Sequence, residues 1–264
     1  LKDMPLERLE IDSLGAKNLD VLHGMPLKQL KLGRMAPDEP AVPTNDLNFL
    51  AGMPLEQLAL RCDGATDLSP ISGMPLTELA ITSDTLADIS PIATLEPLES
   101  LALNCGKLES IEPLGELLLA RLDLSYCDRL ADISPLEGML LEWLSLDLTG
   151  VNDLSPLKDM PLTNFFCGHW KSITDPSGLE HISNPGLRDN VALVYINQGK
   201  WKDAERVYLS MLEAWPESDL PARGLRFIAQ SHLTSGKHDE TQRLCQARID
   251  ALSSPAAKAP FLMM

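Results

Sequence analysis

No apolar run in the 264 residues approaches the ~20 that a bilayer-spanning helix needs, so nothing in the chain reads as a membrane span. No CxxC pair occurs, and the odd count of five cysteines fits reduced thiols, which favours a cytosolic over an exported location. A Gly-rich phosphate loop, HExxH, GxSxG and a carboxylate pair with a positioned partner are all missing, so no catalytic residue, metal ligand or cofactor is assigned. Positive charge is scarce, with 22 Lys and Arg against 38 Asp and Glu. The deficit is uneven: residues before Pro185 carry 12 basic and 29 acidic side chains, a balance of −17, and the rest balances at +1. An acidic surface repels phosphate backbones, which argues against nucleic acid as a partner. The same acidity either keeps a Leu-rich chain soluble or attracts a cationic ligand.

What is present is repetition. The hexapeptide LKDMPL stands at Leu1–Leu6 and again at Leu157–Leu162, and degenerate copies return every 21 or 22 residues with one exception. Units start at Pro5, Pro26, Pro54, Pro75, Pro97, Leu118, Leu140 and Pro161. Their cores run from Leu6/Leu9/Ile11 to Leu162/Phe165/Cys167, and the last two apolar positions alternate with variable ones, the period of a strand buried on one face. Repeats of this length with LxxLxL cores are leucine-rich repeats, each burying its apolar face only against its neighbours. Eight parallel strands about 4.8 Å apart predict a sheet roughly 34 Å across. Leu1 falls inside a repeat with no initiator Met before it, so the chain reads as part of a longer protein.

Between strands lies a second phrase: DLSPISGM at Asp67–Met74, DISPIATL at Asp88–Leu95, DISPLEGM at Asp132–Met139 and DLSPLKDM at Asp153–Met160. Ser before Pro suits one tight 3-10 turn, Ser capping backbone donors and Pro at the first helical position. The Asp residues recur with the fold and read as turn and capping residues, not metal ligands. Met4, Met25, Met53, Met74, Met139 and Met160 occupy equivalent positions and read as core filling. Cys62, Cys105 and Cys127 follow LxL strands and should be buried, unpaired thiols; Cys167 replaces a core Leu, and with His169 two residues on it reads as structural.

With DLSPL, GMPL and LxxLxL recurring in this order, residues 1 to about Ile182 resemble the short bacterial repeats of planctomycete-type and internalin-like proteins. The resemblance implies a binding scaffold for a protein or peptide partner, the recognition end of a larger signalling or surface protein. Two other contexts follow from it: the regulatory arm of a serine/threonine kinase or other enzyme lying upstream, or an exported adhesin or envelope protein.

After Ile182 the text changes. Asn190–Pro216 resembles a tetratricopeptide repeat, with Ala192, Tyr195, Gly199, Ala204, Tyr208 and Pro216 at the family spacing and Arg188 departing from it. A weaker copy matches at Leu225, Ala229, Gly236 and Cys245, with His232, Thr241 and Ser253 departing. Helices are predicted at 188–198, 201–214, 220–235 and 237–252. The expected division is a leucine-rich repeat domain at 1–184, a tetratricopeptide-like domain at 185–254 and a tail at 255–264, an α/β solenoid followed by an all-α helical pair. Two helical units fall short of the usual three, so the pair is expected to lean on the last strand unit.

The outward positions of the strands supply the candidate partner-binding residues. Most are small or polar, but Trp143 and Phe166 fall on neighbouring strands on the concave side, where they either bind a partner or seat the helices. Arg121, Asp123, Asp147 and Asn164 share their neighbourhood, and Arg61 and Glu78 lie farther along the same face. Gly33–Asp46, with Pro37, Pro40 and Pro43, is a contact loop or a tolerated insertion. On the helices, Arg223, Arg226 and Gln230 share one face and could clamp an acidic peptide or a terminal carboxylate, although Leu193 stands where the chaperone-binding clamp of that family has Asn.

Overall fold

The computed structural model describes residues 5–11, 19–33, 46–215 and 217–251. The chain divides into two compact units, Leu1–His169 and Trp170–Met264. Met4, the proline-rich stretch at 34–45, Pro216, the side chain of Cys245 and everything after 251 lie outside the described residues.

In the first unit β1 (Arg8–Ile11), β2 (Gln29–Leu32), β3 (Gln57–Arg61), β4 (Glu78–Thr82), β5 (Ser100–Asn104), β6 (Arg121–Asp123), β7 (Trp143–Ser145) and β8 (Asn164–Phe166) form one parallel sheet in sequence order. The register pairs Leu30 with Leu58, Leu58 with Leu79, Leu79 with Leu101, Leu101 with Leu122, Leu122 with Leu144 and Leu144 with Phe165. Every pairing follows the repeat spacing, including the long step from β2 to β3. The apolar ladder is buried throughout, at 0–5% exposure from Leu30 to Phe165. A parallel sheet with one 3-10 turn per unit between strands is a leucine-rich repeat solenoid.

The turns between strands correct one expectation. The residue at each 3-10 N-cap is Leu or Ile and caps nothing with its side chain. The cap comes from Asp, not from Ser. Asp67, Asp88, Asp132 and Asp153 each accept the N–H of the Ser two residues on, at 2.7–2.8 Å. Ser, already inside the turn, contributes the donor. The same pattern serves Asn48 from Asp46 at 2.8 Å. After five of the turns the backbone goes left-handed, with Gly24, Gly52, Gly73 and Gly138 there at φ of 67–81° and Asp159 in the seventh unit at φ 61°. The following Met25, Met53, Met74, Met139 and Met160 are buried as core filling.

In the second unit α1 (Pro185–Asn197) and α2 (Trp201–Ala214) pack as one hairpin, α3 (Leu220–Thr234) and α4 (His238–Ala251) as another, and α2 packs on α3. Asn184 caps α1, its Oδ1 accepting from Leu187 N–H at 3.1 Å, with Pro185 at the first position. Val191, Ala192, Ala204, Tyr208, Met211, Leu225, Ile228, Ala229 and Leu244 form the core. Arg188 is buried where an apolar residue was expected. Its guanidinium lies 5.4 Å from the Trp215 ring centroid and donates to Ser210, so stacking replaces aliphatic packing. Residues 173–180 hydrogen-bond within this unit: Gln198 Nε2 donates to the carbonyls of Ile173 and Thr174 at 3.0 Å, and Tyr195 donates to the buried Glu180.

Candidate interaction surface

Alternation along each strand sends Leu122, Leu144 and Phe165 into the core and leaves two rows on the open face. Arg121, Trp143 and Asn164 form one row across β6–β8, and Asp123, Ser145 and Phe166 the next. Trp143 and Phe166 meet diagonally, ring centroids 5.3 Å apart and planes tilted by 43°, a favourable aromatic geometry. Phe166 keeps 44% of its surface in solvent and Trp143 is half-buried. Beside them Asp123 Oδ1 accepts from Ser125 N–H at 2.9 Å and from its hydroxyl, and Ser125 Oγ lies 2.8 Å from Ser145 Oγ. This polar chain ties Asp123 to Ser145 on the neighbouring strand. Asp147 stands half-buried at the trailing end of β7.

Six expected contact residues, Arg121, Asp123, Trp143, Asp147, Asn164 and Phe166, therefore come together on three adjacent strands and the turn that follows. Glu78 is exposed but lies on β4, and it borders a separate trough of about 330 Å³ floored by Ala59, Ala80 and Ala102. Arg61 departs from expectation: it is buried at 6% exposure, as is Thr82, its register partner on β4, at 5%. At the first strands Lys31 donates to Glu10, and the ammonium holds that carboxyl below the usual glutamate range.

Arg223, Arg226 and Gln230 are all exposed on α3. Arg223 borders a cavity of about 230 Å³ lined also by Asp189, Leu193, Tyr208, Gly224 and Phe227. Leu193 and Phe227 at its margin are 43% and 57% exposed.

The thiols are unreactive by environment. Cys62, Cys105, Cys127 and Cys167 are buried and unpaired. Burial pushes Cys62, Cys127 and Cys167 up to about 11, and Cys105 higher still. Cys167 Sγ lies 3.7 Å from His169 Nε2, which itself sits 2.8 Å from the Val151 carbonyl. A nucleophilic cysteine needs a depressed pKa, and this one is raised. Among the described residues no group of three or more His, Cys, Asp or Glu could hold a metal ion, and no helix is long and apolar enough to cross a membrane.

Sequence reasoning missed the edges of this surface. Leu118 and Leu140, the two unit starts that are not Pro, are 83% and 72% exposed. Tyr126 and Leu148, 44% and 57% exposed, follow β6 and β7 in left-handed backbone at φ 67° and 55°. The signals were legible: Leu replaces Pro twice, and unit six carries one residue more than unit five between its core Leu and its buried Cys.

No protein-family profile matches the chain, and no curated protein sequence does. Among solved structures it is similar to an internalin C2 from Listeria monocytogenes, with 24% identity and a TM-score of 0.47, over 57% of this chain and 66% of that one. The match thus spans just under two thirds of the internalin's length.

Proposed function

We propose that this chain is a protein-recognition module with no catalysis of its own, the recognition end of a larger signalling or surface protein. The observation that carries this reading is the Trp143–Phe166 pair on the open face of the sheet, Phe166 exposed and Trp143 half-buried, set among Arg121, Asp123, Asp147 and Asn164. Aromatic side chains ringed by polar groups are the usual anchors of protein interfaces. Arg61, being buried, is not part of the set.

The helical unit is read as two tetratricopeptide-like hairpins. Gly199 and Gly236 turn the chain at equivalent points with φ of 72° and 73°. At the same offset Ala192 and Ala229, Tyr195 and His232, and Ala204 and Thr241 are buried pairwise. Such hairpins support a second peptide-binding surface at the cavity beside Arg223, with Arg226 and Gln230 farther along the helix.

Quantitative affinity capture from a native lysate tests the first surface. Wild-type protein is compared with Trp143→Ser/Phe166→Ser and with Leu193→Ser/Phe227→Ser. Partners retained by the helical variant and lost by the sheet variant are the expected result. A capture profile indifferent to the sheet variant would overturn it.

A further inference from the structure

Exposed apolar side chains are not scattered over the strand unit. Of its six large apolar residues that are exposed among the described ones, only Val21 lies in the first half; Leu118, Tyr126, Leu140, Leu148 and Phe166 all belong to units six to eight. Single exposed leucines are ordinary, whereas a concentration of them is not. The register makes them neighbours. Arg121 pairs with Trp143, and the same 22-residue offset relates Leu118 to Leu140 and Tyr126 to Leu148, so each pair sits on adjacent units about 4.8 Å apart. Leu118 and Leu140 mark the leading edge of the strands, Trp143 and Phe166 the floor, and Tyr126 and Leu148 the trailing edge. From 118 to 126 the chain covers at most about 27 Å.

The trailing edge carries independent evidence. A bulky residue at positive φ costs about 1–2 kcal/mol, and Tyr126 and Leu148 are two of the three non-glycine residues that adopt one among the described residues. At the other such points among the described residues the chain places glycine, or in one case Asp159. Neither side chain is buried, so core packing does not compensate for the strain. Their apolar surface is held in solvent at a cost that glycine would avoid.

Charge indicates what covers this band. Residues 115–169 contain nine acidic and three basic side chains, and one of those three, Arg129, is paired with Glu109 at 3.2 Å. On the floor Asp123 shares a row with Ser145 and Phe166, and Asp147 follows two residues beyond Ser145. Gly168 keeps the latter accessible, since a Cβ there would press on Asp147 Oδ1 at 3.3 Å. Carboxylates beside an exposed aromatic pair suit an aliphatic-stemmed cation.

Building on the proposed reading of this face as the recognition surface, we infer that the band across units six to eight takes a cationic, amphipathic segment of a partner protein. Its apolar side chains cover the leucine edges and the Trp143–Phe166 pair, and its Lys or Arg side chains meet Asp123 and Asp147.

Three labelled 16-residue probes test this on the full chain by fluorescence anisotropy: a Leu/Lys peptide, its Leu/Glu counterpart and a Ser/Lys counterpart. The Leu/Lys peptide should bind at least ten-fold more tightly than either control. Tyr126→Gly/Leu148→Gly should weaken that binding ten-fold or more while raising the melting temperature, because glycine relieves the backbone. Asp123→Asn/Asp147→Asn should also weaken it, and Glu96→Gln/Glu99→Gln should not. Equal binding of the three probes, or wild-type binding by the glycine variant, would overturn the inference. So would a concentration-dependent dimer, seen by sedimentation and abolished by the glycine variant, because the band would then be a self-interface. If lysate capture depends on Trp143 and Phe166 while the Leu/Lys probe ignores the band, the inference falls and the recognition reading stands.

Discussion

The ring of Tyr208 occupies the space that a side chain on Gly224 would need: a Cβ built there falls among the ring's own atoms. Tyr208 is 1% exposed and donates its hydroxyl to Asp189 Oδ1 at 2.9 Å, so it cannot swing aside without breaking that bond. Glycine in mid-helix is otherwise a defect, costing about 1 kcal/mol relative to Ala. Here the ring decides. Gly224→Ala gains that propensity and incurs an overpacking cost of about 1–3 kcal/mol plus the loss of a hydrogen bond worth about 1 kcal/mol. The expected outcome is a lower midpoint for the helical unit in chemical denaturation. Gly224→Ala combined with Tyr208→Leu should recover part of the loss, and a Gly224→Ala protein as stable as wild type would show that the ring yields freely.

The capping aspartates make a pH prediction. The N–H of Ser90 holds the Asp88 carboxyl below the usual aspartate range, and that of Ser134 does the same for Asp132. A depressed carboxyl stabilises the fold above its unfolded value and loses that contribution as pH falls through the folded one. Asp132→Ala should therefore lower the melting temperature of the strand unit at pH 7. Asp132→Asn, which keeps an acceptor without the charge, should lower it less. The gap between wild type and Asn should close once acid protonates Asp132. A pH-independent gap would mean that the charge contributes nothing at this turn.

Periodicity reveals much of this architecture, because each solenoid unit buries its face against its neighbour and must repeat the same apolar spacing. Leu58, Leu79 and Leu101 specify their own register in that way. What escaped was set by geometry with no period. Arg61 alternates outward like Gln57 and Ala59, yet it is buried, which the alternation alone does not reveal. Tyr126 and Leu148 are left-handed just after the three-residue strands β6 and β7, and no apolar spacing marks that turn. Arg188 broke the helical pattern in sequence, and its partner Trp215 lies a whole helix away.

Glu180 is buried, accepts from Tyr195 and is paired with Arg206, whose Nη2 donates to it at 2.9 Å. Burial raises such a carboxyl, but the guanidinium and the phenol outweigh it and leave Glu180 below the usual glutamate range. Arg206 is 54% exposed, so solvent screens much of the attraction. Glu180→Gln should cost the helical unit about 1–2 kcal/mol at pH 7. The sign is that of a depressed acid: wild-type stability should fall toward the variant as pH drops through the folded value of Glu180. Tyr195→Phe should cost about 1 kcal/mol, since only a hydroxyl is lost. Thermal melts across pH 3–7 check all three, and a Gln variant that tracks wild type throughout would remove the ion pair from the stability of this unit.

The four buried thiols report on the strand unit from inside. A thiol raised to about 11, as at Cys62, Cys127 and Cys167, is thiolate at only about one part in a thousand at pH 8, and the reagent must also reach it. Both barriers vanish together on unfolding. Labelling of Cys62, Cys105, Cys127 and Cys167 should therefore be slow in native buffer, should accelerate by orders of magnitude in denaturant and should follow the unfolding transition of the sheet. Cys167, near the last strand at 6% exposure, should react first if that end frays. Peptide mapping after timed alkylation resolves the four sites. Fast native labelling at Cys105 or Cys127, both fully buried, or a disulfide joining any two, would contradict the register that buries them.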